Sequence, residues 1–380
     1  MISNKSKINL PQTGQTTSYY CGDDGAYQAG AAWPTPRFID NGDDTVTDNL
    51  TGLMWAEDAG TSTVGACTGG DMTWTNAFDY VACLNDANYL DHNDWRLPNI
   101  NELESMVNVE ESGNGKRLGN FGFTNVQENY WSSTTYASKE AYAWVVGIDN
   151  GCVSHSNKTE SDNYFVGPSF GSLYNRSLLC PNYDIHYVWP VRGGQSGSLG
   201  NLAILATGQT TRYYRGDDGA IQSGTGWPNP RFIDNGDGTV TDNLTGLMWT
   251  NLMWTYDVNW KGNRTGNKTW TQALDYVASI NTGSGTYGHT DWRLPNRKEL
   301  RSLVDYSECN AALLQGTPLS IHSDEFYWSS TTCAFDTHKV WVIRLRDGYV
   351  SFLKYYPDLP GKAVYFWPVR GGQVGNLITR

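Results

Sequence analysis

The sequence predicts an α+β protein made of two tandem homologous domains, mainly antiparallel β with two helices in each. Three observations lead to this prediction. The chain of 380 residues repeats itself once along its length. Its 41 glycines and its many Asn, Asp, Thr and Ser residues are typical of a turn-rich β protein. Two segments in each repeat combine helical spacing of apolar residues with helix-capping residues.

The composition indicates a globular chain rather than a disordered, nucleic-acid-binding or membrane-spanning one. The sequence is 39% hydrophobic and 13% aromatic, whereas disordered chains carry few aromatic residues. A formal net charge of −12, without a Lys/Arg cluster, argues against nucleic acid as a partner. The longest apolar runs are too short for a transmembrane segment. Residues 1–10 are polar and lack a signal-peptide region, so we expect either a cytoplasmic chain or one that follows a removed leader.

An internal repeat defines the domain organisation. The stretch from Pro36 to Trp55 recurs from Pro230 to Trp249 with one difference, Asp44 against Gly238, at an offset of 194 (230 − 36). Four more motifs recur in order: GQTT at 14–17 and 208–211, WRLPN at 95–99 and 292–296, YWSSTT at 130–135 and 327–332, and WPVRGGQ at 189–195 and 367–373. We therefore predict domains at 10–195 and 204–374, a flexible Gly/Ser linker at 196–203, and an insertion around 159–183 in the first domain.

The first part of each domain is predicted to contain a hairpin followed by two helices. Residues 38–55 form the hairpin, because Asn-Gly and Asp-Gly steps suit a tight turn. Apolar residues at helical spacing predict the first helix at 74–85 and 270–280. The second helix begins after Asn99 or Asn296, each a favoured N-cap with Glu three residues later.

A second hairpin is predicted in the last third of each domain. In the second domain, residues 340–346 and 349–353 alternate in polarity on either side of Asp347-Gly348. A two-residue loop there would pair Arg346 with Tyr349. The first domain has the same pattern around Asn150-Gly151.

The outer face of this hairpin is the main functional clue in the sequence. Its residues change chemistry between the domains: Gly147, Asp149, Cys152 and Ser156 correspond to Arg344, Arg346, Tyr349 and Leu353. Core packing constrains the inner face, so the outer face is either idle solvent surface or a surface that binds different ligands in the two domains. Arg and Tyr are residues that interfaces favour.

Five motifs of the second repeat, FIDNGDGTVTDNLTGLMW, TWTQALDY, DWRLPNRKEL, YWSSTT and WPVRGGQ, resemble the Legionella collagen-like protein C-terminal domain family. The resemblance covers nearly the whole chain, twice. It implies a C-type-lectin-like fold of the formylglycine-generating-enzyme type, found on secreted or surface proteins of bacteria. Such domains act in adhesion and bind glycans or glycosaminoglycans.

A related group, the variable proteins of diversity-generating retroelements, carries its binding residues between YWSSTT and WPVRGGQ. This resemblance implies ligand-binding residues on the outer hairpin face and just beyond it: Arg344, Arg346, Tyr349, Ser351, Leu353 and Tyr355.

The seven cysteines include no CxxC motif, so a zinc ribbon or a thioredoxin-type site is not expected. Three pairs could form within single domains: Cys67 with Cys83, Cys152 with Cys180, and Cys309 with Cys333. Cys21 would be left over, and buried free thiols are the alternative. Disulfides would suit an oxidising compartment. Cys309 and Cys333 do not lie in the redox motif that formylglycine-generating enzymes require.

Enzymatic chemistry has little support in the sequence. A His–Asp pair at 92 and 94, repeated at His289 and Asp291, could do acid–base work. No nucleophile or metal cluster accompanies it, and hydrogen bonding at the entry to the second helix is the preferred interpretation. A GxSxG string at 167–171 lacks the strand and helix of a nucleophile elbow and is absent from the second domain.

No cofactor is predicted, although calcium is an alternative. The turns at 40–43 and 234–237 offer the oxygen ligands that Ca²⁺ prefers, without the EF-hand spacing. Four arginines in shared motifs are expected to be buried or stacked with a carboxylate partner rather than to contact a ligand: Arg96, Arg192, Arg293 and Arg370.

The sequence therefore predicts a non-catalytic, extracellular or cell-surface binding protein, a lectin-like adhesin for a glycan or a protein receptor. The alternative is a structural subunit of an extracellular assembly, whose copies would self-associate. An unrecognised enzyme on the same fold is the least expected function.

Overall fold

The computed structural model describes residues 7–111, 113–159, 185–193, 204–251, 269–308, 318–319, 326–354 and 364–372. The chain divides into two compact units. The unit that holds the body of the first repeat, here called the N-unit, is drawn from Pro34–Val107 and Ser112–Gly226. The unit that holds the body of the second repeat, here called the C-unit, is drawn from Met1–Trp33, Asn108–Glu111 and Trp227–Arg380.

The described elements are mostly antiparallel strands with few helices, which confirms the predicted α+β class. In chain order they are α1 (Asp24–Tyr27), β1 (Phe38–Asp40), β2 (Thr45–Asp48), β3 (Leu53–Ala56), α2 (Trp74–Asp86), a 3₁₀ turn (Tyr89–Asp91), α3 (Ile100–Ser105), α4 (Asn114–Gly119), β4 (Asn129–Thr135), β5 (Tyr142–Gly147), β6 (Val153–Asn157), β7 (Val191–Gly193), α5 (Asp218–Ile221), β8 (Phe232–Asp234), β9 (Thr239–Asp242), β10 (Met248–Thr250), α6 (Trp270–Ser279), α7 (Arg297–Ser302), β11 (Phe326–Thr332), β12 (Lys339–Arg344), β13 (Tyr349–Lys354), β14 (Val364–Tyr365) and β15 (Val369–Arg370).

Each unit contains two sheets with matching strand order. In the N-unit, β1, β2, β3 and β7 form one antiparallel sheet, and β4, β5 and β6 pair antiparallel in the second. In the C-unit, β8, β9, β10 and β15 form the first sheet. The second contains β11, β12 and β13, with β14 parallel to β11. The first hairpin predicted at 38–55 is therefore present in both repeats.

The two predicted helices of each repeat begin where their capping residues indicate. α2 and α6 lie within one residue of their predicted ends. α3 and α7 follow Asn99 and Asn296, whose side chains form capping boxes with the Glu three residues later. The single-turn helices α1 and α5 and the short α4 were not predicted, because so few residues show no periodicity.

Buried tryptophans form the centre of each unit. Trp55 and Trp189 pack with ring centroids 5.2 Å apart in the N-unit, and Trp249 and Trp367 pack at 5.3 Å in the C-unit. The later indole of each pair also donates a hydrogen bond to the carbonyl of the last residue of β3 or β10, Trp189 to Ala56 and Trp367 to Thr250. Trp189 also packs on Tyr130 of β4, and Trp367 packs on Tyr327 of β11, so each pair joins the two sheets of its unit.

The compact units do not coincide with the repeats. Residues 10–31, here called leading segment 1, precede the first repeat body but lie in the C-unit. Residues 204–225, leading segment 2, precede the second repeat body but lie in the N-unit. The predicted domain boundaries grouped each segment with the body that follows it. The predicted linker at 196–203 and nearly all of the insertion at 159–183 lie outside the described residues.

Both leading segments have the same internal structure. The ends of segment 1 meet through backbone hydrogen bonds, Gln12 N to Ala31 O at 2.9 Å and Ala31 N to Leu10 O at 2.8 Å. Segment 2 closes in the same way between Ala206 and Thr225. In each segment a glycine crosses close over the chain. In segment 1, a Cβ on Gly25 would lie 2.0 Å from the carbonyl oxygen of Thr17. Each segment is thus a closed loop with its own turn and helix.

Candidate ligand-binding site

The C-terminal hairpin of each unit ends in a four-residue loop instead of the predicted two-residue loop. In the C-unit the last pair of the ladder is Arg344 with Tyr349, so residues 345–348 form the loop. In the N-unit, Gly147 N donates to Cys152 O at 2.9 Å, which leaves residues 148–151 as the loop. The predicted pairing of Arg346 with Tyr349 is wrong by two residues. Because side chains alternate with a period of two, an even shift keeps the residues that remain in the strands on their predicted faces. Arg346 lies in the loop instead.

An ion pair inside the C-unit loop accounts for this register. Arg344 Nε donates to Asp347 Oδ1 at 2.9 Å and its Nη2 donates to Oδ2 at 2.5 Å. The backbone N–H of Tyr349 donates to the same carboxylate at 3.2 Å. Gly348 has a positive φ of 82° and lies against Val304, which leaves no space for a Cβ. The loop therefore folds around the buried Asp347.

Aromatic rings hold the arginine of this pair from the sides. The Arg344 guanidinium carbon lies 5.2 Å from the ring centroid of Tyr349 and 5.8 Å from that of Phe326. Distances of this size allow a cation–π attraction. With a side chain only 13% exposed, against 2% for Asp347, Arg344 is fixed in place by its neighbours.

The structure distributes the six predicted ligand-binding residues between surface and interior. Arg346 is exposed at the loop, and Ser351 is half-buried on β13. Arg344 is the ion-paired residue just described, while Tyr349 and Leu353 are each only 7% exposed. Tyr355 lies outside the described residues. The outer hairpin face is therefore not a continuous solvent surface, and the exposed cation among its described residues is Arg346.

The matching loop of the N-unit carries different chemistry on the same frame. Its exposed residues are Asp149 and Asn150, and Oδ1 of Asp149 accepts a hydrogen bond from Gly115 N at 3.4 Å. At Gly147, the counterpart of Arg344, a Cβ would lie 2.5 Å from Asn150 Oδ1 and 3.0 Å from the sulfur of Cys152. An arginine cannot occupy that position without movement of its neighbours. The two loops thus present opposite charges.

Buried arginines elsewhere are structural, as predicted. Arg96 forms a bidentate ion pair with Glu102 at 2.6 and 2.7 Å and also donates to the carbonyl of Gly193. Arg293 and Glu299 repeat this pair in the C-unit. A further arginine in each repeat was not predicted to join two elements. Arg37 donates to Asp48 of the first hairpin and to the carbonyl of Ser105 at the end of the second helix. Arg231 forms the same bonds with Asp242 and Ser302.

The His–Asp pairs considered for catalysis take part in other contacts. Asp94 accepts two hydrogen bonds from Arg192, and Asp291 pairs with Arg370. The hydrogen bonds from Arg192 hold the pKa of Asp94 below its usual value. His92 and His289 lie against the rings of the tryptophans three residues later. The arrangement matches the predicted structural role.

The acidic turns use their carboxylates within the turn. Asp40 Oδ1 accepts from Gly42 N at 2.8 Å, and Asp43 Oδ1 accepts from the hydroxyl of Thr45 at 2.5 Å. The second turn forms the same bonds. In the described ranges, no group of three or more His, Cys, Asp or Glu side chains is placed to hold a metal ion.

The cysteines follow the predicted pairing only in part. Cys67 and Cys83 form a disulfide. Cys152 is disulfide-bonded, and its predicted partner Cys180 lies outside the described residues. The pairing of Cys309 with Cys333 is wrong, because Cys333 is a free, buried thiol whose pKa is raised by burial. The exposed Cys21 is also free.

Comparison with known proteins identifies the family. The model of the Lcl C-terminal domain matches residues 44–168 and 238–370. The chain belongs to the Lcl C-terminal domain family. The two matches give a tandem pair of Lcl C-terminal domains and confirm the resemblance seen in the motifs. Neither match reaches the leading segments.

Membership of the Lcl C-terminal domain family suggests a binding role, and the family is not a known enzyme family. No curated protein and no solved structure matches the chain. In the part of the chain that the structure describes, no helix has the length and apolar character needed to cross a membrane.

Proposed function

We propose that this tandem Lcl C-terminal domain protein is a non-catalytic, lectin-like binding protein, an adhesin that recognises a glycan or a protein receptor through the hairpin loop of the C-unit. The observation that carries the proposal is the exposed Arg346, on a loop that the Arg344–Asp347 ion pair holds in shape. Most of the surrounding frame is shared by both units, whereas the loop chemistry is not.

The fixed loop favours recognition because ordering a mobile loop would weaken binding. Immobilising a rotamer-rich side chain costs about 0.5–1.5 kcal/mol on association. Here the backbone of residues 345–348 is held by the buried Asp347 and by the contact of Gly348 with Val304. A ligand therefore does not have to order the backbone of this loop.

The chemistry of the loop favours an acidic ligand. A guanidinium forms bidentate hydrogen bonds with carboxylate and sulfate-like groups. We therefore propose a glycan with carboxylate or sulfate groups as the ligand of the C-unit. The N-unit loop, with Asp149 in the matching position, would not share that ligand. A protein receptor with an acidic patch is the other ligand class compatible with Arg346.

An extracellular or cell-surface location is part of the proposal. The Cys67–Cys83 disulfide supports it, because disulfides persist mainly in oxidising compartments. The proposed lack of catalysis is supported by the residues that could have formed a catalytic pair, since Asp94 and Asp291 anchor arginines instead.

The experiment is a glycan array with the intact chain and two matched variants, Arg346→Ala and Asp149→Ala. We expect saturable binding to acidic glycans that Arg346→Ala reduces at least tenfold and Asp149→Ala leaves unchanged. Equal binding by all three proteins would place the site elsewhere. If no glycan binds, a protein receptor replaces the glycan as the expected ligand.

A structural subunit of an extracellular assembly is the second candidate function. The observation that favours it is the position of the leading segments, each of which completes a body other than the one it precedes. Units completed in this way can also be linked between chains.

A further inference from the structure

The same hydrogen bonds fasten each leading segment to the body that it completes. In the C-unit, Asp24 Oδ2 accepts from the hydroxyl of Thr331 at 2.7 Å, and Gln15 Oε1 accepts from Thr332 N at 3.0 Å. In the N-unit, Asp218 Oδ2 accepts from the hydroxyl of Thr134 at 2.7 Å, and Gln209 Oε1 accepts from Thr135 N at 3.0 Å. The strand that receives the segment is β11 in the C-unit and β4 in the N-unit, although its groups donate these hydrogen bonds. Together with the start of the second helix of the same body, this strand is called the acceptor surface.

A second set of contacts joins the segments to the start of the second helix. Asn296 Nδ2 donates to the carbonyl of Ala29 at 2.9 Å, and Lys298 Nζ donates to the carbonyl of Gln12 at 3.0 Å. In the N-unit, Asn99 donates to the carbonyl of Ser223, the counterpart of Ala29, and Asn101 donates to the carbonyl of Leu205, the counterpart of Pro11. The acceptors of these bonds are backbone carbonyls of the segment, which do not depend on the identity of the side chain.

Most buried contact residues of the two segments are identical in type. Thr13, Gln15, Asp23, Asp24 and Gly25 correspond to Thr207, Gln209, Asp217, Asp218 and Gly219 at an offset of 194. One buried position differs: the hydroxyl of Ser223 donates to Glu102 at 2.8 Å and accepts from Arg96 at 3.1 Å, whereas segment 1 has Ala29 there. Another difference is exposed. Arg215 of segment 2 forms an exposed ion pair with Asp79, and segment 1 has Cys21 at that position. An exposed pair of this kind contributes little stability. The Ser223 hydroxyl is therefore the main described difference between the two segments, while the threonine, glutamine and aspartate contacts are shared.

Chain connectivity attaches each leading segment to a body in the other unit. Segment 1 runs directly into the N-unit at Pro34, and segment 2 runs directly into the C-unit at Trp227. Each body is therefore preceded by a segment that lies in the other unit. A repeat separated from its neighbour would have an empty acceptor surface and a segment without its acceptor.

We infer that the acceptor surface of each body accepts either leading segment, so that copies of this chain associate by exchanging segments. The partner of the surface is a second copy of the chain, and the exchanged element is the closed loop at 10–31 or 204–225. Because each loop has its own turn and end-to-end hydrogen bonds, little of it has to fold during transfer. Within one chain, the leading segment of each repeat fills the acceptor surface of the other. Between chains the same contacts link separate molecules.

The test begins with the full chain carrying a specific protease site within the Gly/Ser stretch at 196–200. After cleavage in native buffer we expect the halves to remain together, at the mass of the uncleaved chain in native mass spectrometry. After unfolding and dilute refolding of the cleaved protein, we expect mixed pairs and also pairs of two first repeats and of two second repeats. Separation into monomers on cleavage, or refolding to mixed pairs alone, would overturn the inference.

A second variant keeps the test independent of refolding. In the intact chain, the sequences of residues 11–31 and 205–225 are exchanged. Each leading segment then faces the acceptor surface that the other one normally fills. Interchangeable segments predict a monomer with a melting temperature within about 2 °C of the starting protein. A control chimera with Gln15 and Gln209 both changed to Ala should melt lower. A large loss of melting temperature in the first chimera would show that each acceptor is specific and would refute the exchange.

Discussion

Asp24 and Thr331 are 307 residues apart in the chain and share a buried 2.7 Å hydrogen bond. The same carboxylate oxygen accepts a second bond from Thr13 at 2.7 Å. Asp218 has the same surroundings, with Thr134 and Thr207 as donors. In both units burial raises the carboxyl pKa to about 7, against the lowering effect of the two threonines. A titrating group thus lies at each contact between a leading segment and a body.

This pair of carboxyls makes stability depend on pH. An unfolded Asp has a pKa of about 3.9, so between that value and about 7 the folded state binds more protons than the unfolded state. The stabilisation is fully present below about pH 4 and is lost as the pH rises through about 7. From pH 5 to pH 8, we expect wild-type protein to lose about 2 kcal/mol relative to Asp24→Asn for this one group.

The measurement is urea unfolding of wild type and Asp24→Asn at pH 5, 6, 7 and 8. Asp218→Asn is the matched variant of the N-unit. It should change the pH dependence of the stability of that unit by the same amount. Parallel stability curves for wild type and both variants would contradict the raised pKa.

The Arg344–Asp347 pair predicts a local loss of stability. Asp347→Ala leaves a mostly buried arginine without its carboxylate, and such a loss costs about 3 kcal/mol. Arg346→Ala, on the same loop but exposed, should change stability by less than about 0.5 kcal/mol. Chemical denaturation followed by limited proteolysis measures both effects in the C-unit. An equal effect of the two substitutions would show that Asp347 does not hold the loop.

The Cys67–Cys83 disulfide predicts a stability difference confined to one unit. It closes a sequence separation of 16 residues, and a loop of that length contributes about 3 kcal/mol. Replacing both residues with Ala should speed proteolysis of the N-unit and leave the second repeat body unchanged. Cys21→Ala, at an exposed free thiol, is the control. Unchanged proteolysis of the N-unit would contradict a stabilising disulfide.

Local structure was well predicted from the sequence because its signals are local. Asn99 and Asn296 begin helices through hydrogen bonds to residues only three positions away. The turn of the first hairpin depends on Asn-Gly steps and on neighbouring threonines. Each of these arrangements is determined within a few residues.

The register of the second hairpin was not predictable from the turn residues alone. Asp347-Gly348 suits a two-residue loop, but the Asp347 side chain bonds to Arg344 and to the backbone of Tyr349. These bonds end the ladder two residues earlier. The burial of Tyr349 and Leu353 likewise depends on tertiary packing, which alternation of polar and apolar residues does not reveal.

The position of the leading segments could not be predicted for a different reason. The similarity that makes the repeats visible also makes the two segments equivalent as partners for either body. Sequence comparison therefore assigns a segment to its repeat without showing which body it completes. The GDDGA sequence at 22–26 and 216–220 was a signal of importance, since both copies retain it. Its role becomes clear only from the buried Asp24 and Asp218.

The most direct test of the account is residue-resolved hydrogen exchange on Gln15→Ala and Gln209→Ala in the full chain. Gln15 accepts from the amide of Thr332, and Gln209 accepts from the amide of Thr135. We expect Gln15→Ala to accelerate exchange at Thr332 and leave Thr135 protected, and Gln209→Ala to do the reverse. If Gln15→Ala instead exposes Thr135 and leaves Thr332 protected, each leading segment packs on its own repeat and the exchanged arrangement is wrong.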